Sequence, residues 1–291
     1  MADPDIQGEL LELSRALRPI GKPFVSLVDV ASELGAVVSL QMCTDLDSPG
    51  AQIDLRSRPP KVILYRLGRV NGERELRSWE ENLLSARERF SIAHELGHWI
   101  LFSRFRIGPQ TDNRTYWDHE RAINEFAGHL LAPDWLVEHW LESTPKGMPV
   151  PPFALRYWAV SLCRSSEDVI AKRLVQHRSS IGFLRLLLSR RSKDGAEVLQ
   201  VMCSAAGGAL RLPNERSHLD APELRQLLKA EKVGSASLSE LKLGRCKAQS
   251  LQIAWRRGKP LKSAETIWVS LSAEARDGMA VGSSAEQLAF G

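Results

Sequence analysis

The segment His94-Glu95-Leu96-Gly97-His98 constrains this chain more than any other. Read as helix, it sets two imidazoles one turn apart on one face, close enough for both to reach a single cation. The surrounding pattern is helical, with Phe90, Ala93, Gly97, Ile100 and Leu101 recurring at steps of three and four between Trp79 and Phe102. Glu95 projects from the same helix towards the position such a cation leaves open, where a carboxylate takes a proton from water without being a ligand. Zinc lowers the pKa of its water to about 7 and polarises a peptide carbonyl, so these residue types in this order fit hydrolysis. The bare motif also occurs in surface helices rich in His and Glu, and its context therefore carries the weight. Gly97 is part of that context: glycine inside a helix costs roughly 1 kcal/mol relative to alanine, which implies close packing against it.

At 291 residues the chain can hold two or three compact units. Its 43% hydrophobic and 25% charged residues are those of a globular protein, and no apolar run approaches the roughly 20 residues of a membrane span. The N-terminus, Met-Ala-Asp-Pro-Asp-Ile-Gln-Gly-Glu, is acidic and polar, the opposite of a secretory signal. Cys43, Cys163, Cys203 and Cys246 are far apart, without a C-x-x-C pair, and read as reduced thiols. A cytoplasmic location is the expectation. The charge is uneven: residues 178–263 hold 17 basic and 7 acidic side chains, against 21 and 24 in residues 1–177. The basic charges are scattered, so a solvated surface explains them at least as well as a nucleic-acid footprint.

The pattern predicts helices over residues 5–17 and 27–34, strands at 36–40, 52–55 and 62–65, the motif helix, then helices over 118–131 and 135–141. Two short helices follow, at about 153–160 and 166–176, with the spacing of a helix-turn-helix. Beyond residue 181 the texture is that of strands, at 183–188, 198–202, 250–255 and 266–271, around one helix at 221–230. The expected architecture is α+β. It comprises a small zincin-like peptidase domain with motif helix and short sheet over 1–143, a helix-turn-helix-like segment over 144–180, and a C-terminal α+β domain over 181–291.

A catalytic zinc of this kind takes two histidines and a carboxylate, leaving one position for water. The helix over 118–131 offers Asp118, Glu120 and Glu125, besides His119 and His129. Glu120 and Asn124 share a face, and Glu125 is turned about 100° from Asn124, but spacing alone does not choose among the candidates.

The run Glu88-Arg89-Phe90-Ser91-Ile92-Ala93-His94-Glu95-Leu96-Gly97-His98, followed by Glu120-Arg121-Ala122-Ile123-Asn124-Glu125-Phe126-Ala127-Gly128-His129-Leu130-Leu131-Ala132-Pro133, resembles the ImmA/IrrE family of metallo-endopeptidases. The resemblance implies His94, His98 and Glu120 as zinc ligands and Glu95 as general base, with manganese able to stand in for zinc. Asn124 matches an asparagine of the family pattern, while Ile123 stands where a small residue is usual, a departure that touches packing more than chemistry. The resemblance is good from about Val28 to Pro133 and weaker beyond. It further implies a helix-turn-helix repressor of the XRE or phage type as substrate, whose cleavage would derepress a stress-response or mobile-element operon, and a sensor-like, GAF-like C-terminal domain.

Several features carry a blander reading beside the sharp one. Tyr116, His119 and His129 lie near the motif, but a histidine near a helix is more often a surface or core residue than an oxyanion donor. The helix after Ser165-Ser166 carries Lys172 and Arg173, as a recognition helix would, yet a helical pair packed on the peptidase core is the favoured reading, and DNA contact is secondary. The rival functional class is a DNA- or ligand-binding regulator with a structural metal site. Glu95 speaks for the enzyme, because a structural site has no need of a base.

Overall fold

The computed structural model describes residues 5–18, 20–44, 50–69, 71–108, 119–190, 197–207, 210, 212–219, 222–230, 232–243, 246–258 and 264–272. The chain divides into two compact units: residues 1–143 with 153–178, and residues 144–152 with 179–291. The segment expected at 144–180 is thus shared between them, its helices grouping with the first unit. Mixed helix and sheet accords with the α+β expectation.

The first unit opens with α1 (Ile6–Ala16) and α2 (Leu27–Glu33), followed by β1 (Val37–Cys43), β2 (Ala51–Asp54), β3 (Lys61–Leu67) and β4 (Gly72–Glu75). These strands form a sheet in the order β2-β3-β1-β4, with β1 parallel to β3 and the outer strands antiparallel to their neighbours. The alternation of period two is visible in β3, where Val62 and Leu64 are buried between half-buried neighbours; they share a core with Val38 and Leu40 of β1 and with the motif helix. β4, fully exposed and reading Gly-Glu-Arg-Glu, has no apolar alternation to betray it. It pairs antiparallel with β1, Glu75 opposite Ser39 and Gly72 opposite Met42.

The expected helix from Trp79 is in fact two elements. A 3₁₀ helix covers Ser78–Leu83, and α3 runs from Ala86 to Phe105. The break is a capping box: Ser85 Oγ accepts the Glu88 amide at 3.3 Å, and Glu88 Oε2 accepts the Ser85 amide at 2.7 Å. Glu88 also takes Arg66 in a two-pronged ion pair, fastening the start of α3 to the end of β3. The buried Glu81 carboxylate accepts the Leu27 and Val28 amides at 2.9 and 2.8 Å and the Ser26 hydroxyl at 2.7 Å, at the positive end of α2. It is paired with the equally buried Arg89 of α3 at 2.8 Å.

α4 (Glu120–Leu131) packs along α3, and α5 (Asp134–Glu142) follows Pro133. Ile123, Phe126, Ala127, Leu130 and Leu131 of α4 are buried, recurring at the steps of three and four that set one face of a helix inward. An added Cβ at Gly97 would stand 2.8 Å from Ile123 Cγ2 and 3.3 Å from Phe126 Cδ1, so α4 packs closely against α3 at Gly97. α6 (Pro152–Arg156) continues as π-helical turns over Tyr157–Cys163, and α7 (Glu167–His177) packs on α4 and α5. Trp158 stacks on Trp140 of α5 at 4.9 Å between ring centroids. Arg173 of α7 is buried, ion-paired with Asp134 and hydrogen-bonded to the Ala132 carbonyl at 3.0 Å. One of the two cations expected of a recognition helix is therefore engaged inside the unit.

The second unit holds a six-stranded antiparallel sheet of β5 (Ile181–Arg190), β6 (Glu197–Ala206), β7 (His218–Leu219), β8 (Val233–Leu243), β9 (Cys246–Arg257) and β10 (Ala264–Ser272). Their order is β7-β6-β5-β10-β9-β8, and α8 (Pro222–Ala230) precedes β8. Leu184, Leu186, Leu199, Val201, Ile253, Ile267 and Val269 form its core with Leu224 and Leu228 of α8. Among the described residues no helix is long and apolar enough to cross a membrane.

Candidate metal centre

The site lies where α3 and α4 face each other beside β2. His94 and His98, one turn apart on α3, bring their Nε2 atoms to 3.1 Å. Glu120 approaches from the first turn of α4, with Oε1 3.1 Å from His98 Nε2 and Oε2 3.4 Å from His94 Nε2. One ligand atom from each of the three side chains lies within 4.8 Å of the others. Of the carboxylates that spacing left open, Glu120 is the one that converges with the two histidines. Glu125 instead accepts Gln7 and pairs with Arg121. Asp118 and Tyr116 lie outside the described residues.

Burial pushes the His98 imidazole down to about 3, with His94 beside it acting the same way. Burial also lowers His94, against the Glu120 carboxylate and Asn124, which favour its charged form. Both rings are neutral at pH 7, as metal ligands must be. Glu120 Oε1 is buried and accepts no hydrogen bond. Two neutral imidazole nitrogens and a carboxylate oxygen converging in this way fit a divalent cation of the zinc type.

Glu95, between the histidines in sequence, turns towards β2. Its Oε2 accepts the backbone amide of Ile53 at 3.0 Å. Burial raises the Glu95 carboxyl to about 7, opposed by the Ile53 amide and assisted by the nearby Glu120. A carboxylate poised there can both accept and return a proton near neutrality. The role of β2 in holding Glu95 has no signal in the sequence: the partner is a backbone amide 42 residues away. Asn124, matched by pattern alone, places Oδ1 3.2 Å from His94 Nδ1 and donates Nδ2 to the Glu120 carbonyl at 2.8 Å.

His129 is elsewhere. Its Nδ1 lies 3.4 Å from Asp134, among Arg173 and His177. Burial and Arg173 push its imidazole down to about 4. His119 caps the start of α4 without a side-chain capping bond.

Residues 80–144 match the family model described as Peptidase_M78, IrrE N-terminal-like domain. This segment is similar to an IrrE N-terminal-like domain. The matched residues contain α3, α4, α5 and all three converging side chains, so sequence family and geometry coincide on one place. The match supports an ImmA/IrrE-type metallopeptidase and, with it, a divalent metal, for which zinc is typical. The second unit's sheet lies outside the IrrE-like domain. No curated protein matches the chain in sequence.

Proposed function

We propose that the chain is a zinc-dependent endopeptidase, with His94, His98 and Glu120 as metal ligands and Glu95 as general base. The observation that carries this reading is the convergence of two neutral histidines and Glu120 beside a buried carboxylate within an IrrE-like domain. Manganese can occupy the same donor set. A cation held there supplies Lewis acidity: it lowers the pKa of water to about 7 and polarises the scissile carbonyl. The rest of the chemistry belongs to the protein. Ile53 N–H holds Glu95 Oε2, leaving Oε1 to accept a proton from the attacking water and pass it to the departing amine. β2 is the outer strand of its sheet, and the Ile53 amide points away from β3 towards the site. A substrate segment in extended conformation can pair along that outer side and lie across Glu95.

The substrate in this reading is a helix-turn-helix repressor of the XRE or phage type, as the family resemblance implies, and its cleavage would release a stress-response or mobile-element operon. The second unit would act as a GAF-like sensor. In support, the unit is a separate antiparallel sheet, its five long strands in the order second, first, fifth, fourth, third with a helix between the second and third of them, the mixed α+β make-up this reading expects.

The test is incubation of the full chain with a helix-turn-helix repressor of the XRE or phage type from its own genome, in zinc or manganese. Cleavage by the native protein and none by Glu95→Gln, with metal still bound, is the expected result. Failure of the native protein to cut, or equal cutting by Glu95→Gln, would refute the peptidase reading.

A further inference from the structure

Asn124 stands one helical turn after Glu120 on α4, and its side-chain amide is held at both ends. Nδ2 donates to the Glu120 backbone carbonyl at 2.8 Å, which fixes the orientation of the amide, since a flipped group would set oxygen against oxygen. The other end, Oδ1, is then the atom 3.2 Å from His94 Nδ1. An amide oxygen can only accept, so the His94 proton must sit on Nδ1. That leaves the lone pair on Nε2, the atom 3.1 Å from His98 Nε2 and 3.4 Å from Glu120 Oε2.

We propose that Asn124 is a positioning residue: it selects the Nδ1–H tautomer of His94 and thereby presents Nε2 to the cation. The inference rests on the reading of His94, His98 and Glu120 as metal ligands. Because the amide is anchored on the backbone of Glu120, one side chain links the ring of one ligand to the helix turn that carries another. A side chain that merely bridged i to i−4 along α4 would have no effect on the protonation pattern of a ring on α3. Partners of this kind fix ring orientation and raise ligand basicity, and their loss typically costs 10- to 100-fold in metal affinity.

The experiment has two readouts, neither of which involves cleavage. Spectra of the metal-free full chain with ¹⁵N-labelled histidine at pH 8, with His94 assigned by its loss in His94→Gln, should show His94 protonated on Nδ1. Zinc affinity, measured by competition with a chelator, should fall about 10- to 100-fold in Asn124→Leu, with His94 shifting towards the Nε2–H form. Asn124→Asp keeps the acceptor and should retain the Nδ1–H tautomer, with affinity within a few-fold of the native protein. An Nε2–H tautomer in the native protein, or an Asn124→Leu variant that melts normally and binds zinc as tightly as the native chain, would overturn the proposal. Should Asn124→Leu fail to fold, the native tautomer and the Asn124→Asp variant still decide. A chain that binds zinc through this tautomer and cleaves nothing would refute the peptidase reading alone.

Discussion

Replacing Gly97 by alanine tests the α3–α4 contact on which the convergence of His94, His98 and Glu120 depends. In an open helix the change would gain about 1 kcal/mol from propensity. Here the new Cβ would meet Ile123 Cγ2 at 2.8 Å and Phe126 Cδ1 at 3.3 Å, closer than carbon atoms pack. Ile123 is fully buried and β-branched, with one strongly preferred rotamer on a helix, so its methyl has nowhere to swing. The helices must separate instead, and overpacking of this kind costs typically 1–3 kcal/mol. The net expectation is a loss of about 1–2 kcal/mol, which for a unit of this size lowers the melting temperature by about 2–8 °C. Thermal and urea unfolding of the metal-free protein, followed by tryptophan fluorescence, would measure it. The decisive control is Ile123→Ala: with the methyl gone, Gly97→Ala should be neutral or gain up to about 1 kcal/mol. A Gly97→Ala protein more stable than the native one, or a cost unchanged by Ile123→Ala, would refute the contact as the reason for the glycine.

Two further expectations concern the frame around the site. Arg89→Met leaves the Glu81 carboxylate buried without its counter-charge and should destabilise the first unit by about 3–5 kcal/mol in urea unfolding; a loss under about 1 kcal/mol would show the pair to be dispensable. At Asp134, burial would raise the carboxyl, but Arg173, His129 and Arg15 hold it down at about 2, below its usual 3.8. Ionised Asp134 therefore stabilises the fold above pH of about 4, and that contribution disappears as the pH falls through about 2. The native protein should exceed Asp134→Asn in stability by about 1 kcal/mol at pH 6, allowing for the partial exposure of the carboxyl, with the gap narrowing between pH 4 and 2; a constant gap would contradict the assignment.

What the sequence made legible is what is local and periodic. The motif helix, the α4 stripe of Ile123, Phe126, Ala127, Leu130 and Leu131, and the meaning of Gly97 all follow from the 3.6-residue period. Ile123, noted as larger than the family's usual residue, packs directly on Gly97. Ligand spacing left five candidates open over residues 118–131, because a helix face does not say which turn of a second helix will lie opposite. Contacts set by tertiary placement stayed hidden. The Ile53 amide that holds Glu95 is a backbone group, present at nearly every residue, and only the path of β2 singles it out. β4 and β8 escaped because exposed polar or Ser- and Gly-rich strands lack the apolar alternation that marks a strand. The Ser85–Glu88 capping box was readable in principle, and it explains why the helix begins seven residues later than its apolar content suggested.

The way residues 153–178 fold back bears on any attempt to take the protein apart. The chain leaves the first unit after Ser143, passes through 144–152 in the second, and returns before departing again at Ser179. A cut after Ser143 would keep every residue of the IrrE-like match but the last, and would look like a natural boundary. It would also strip α7 from α4 and α5, exposing the surface now covered by Ile170 and Leu174 and leaving Asp134 without Arg173. A shortened protein that proved insoluble would therefore report the loss of a structural member of the first unit, and would say nothing about what the second unit contributes.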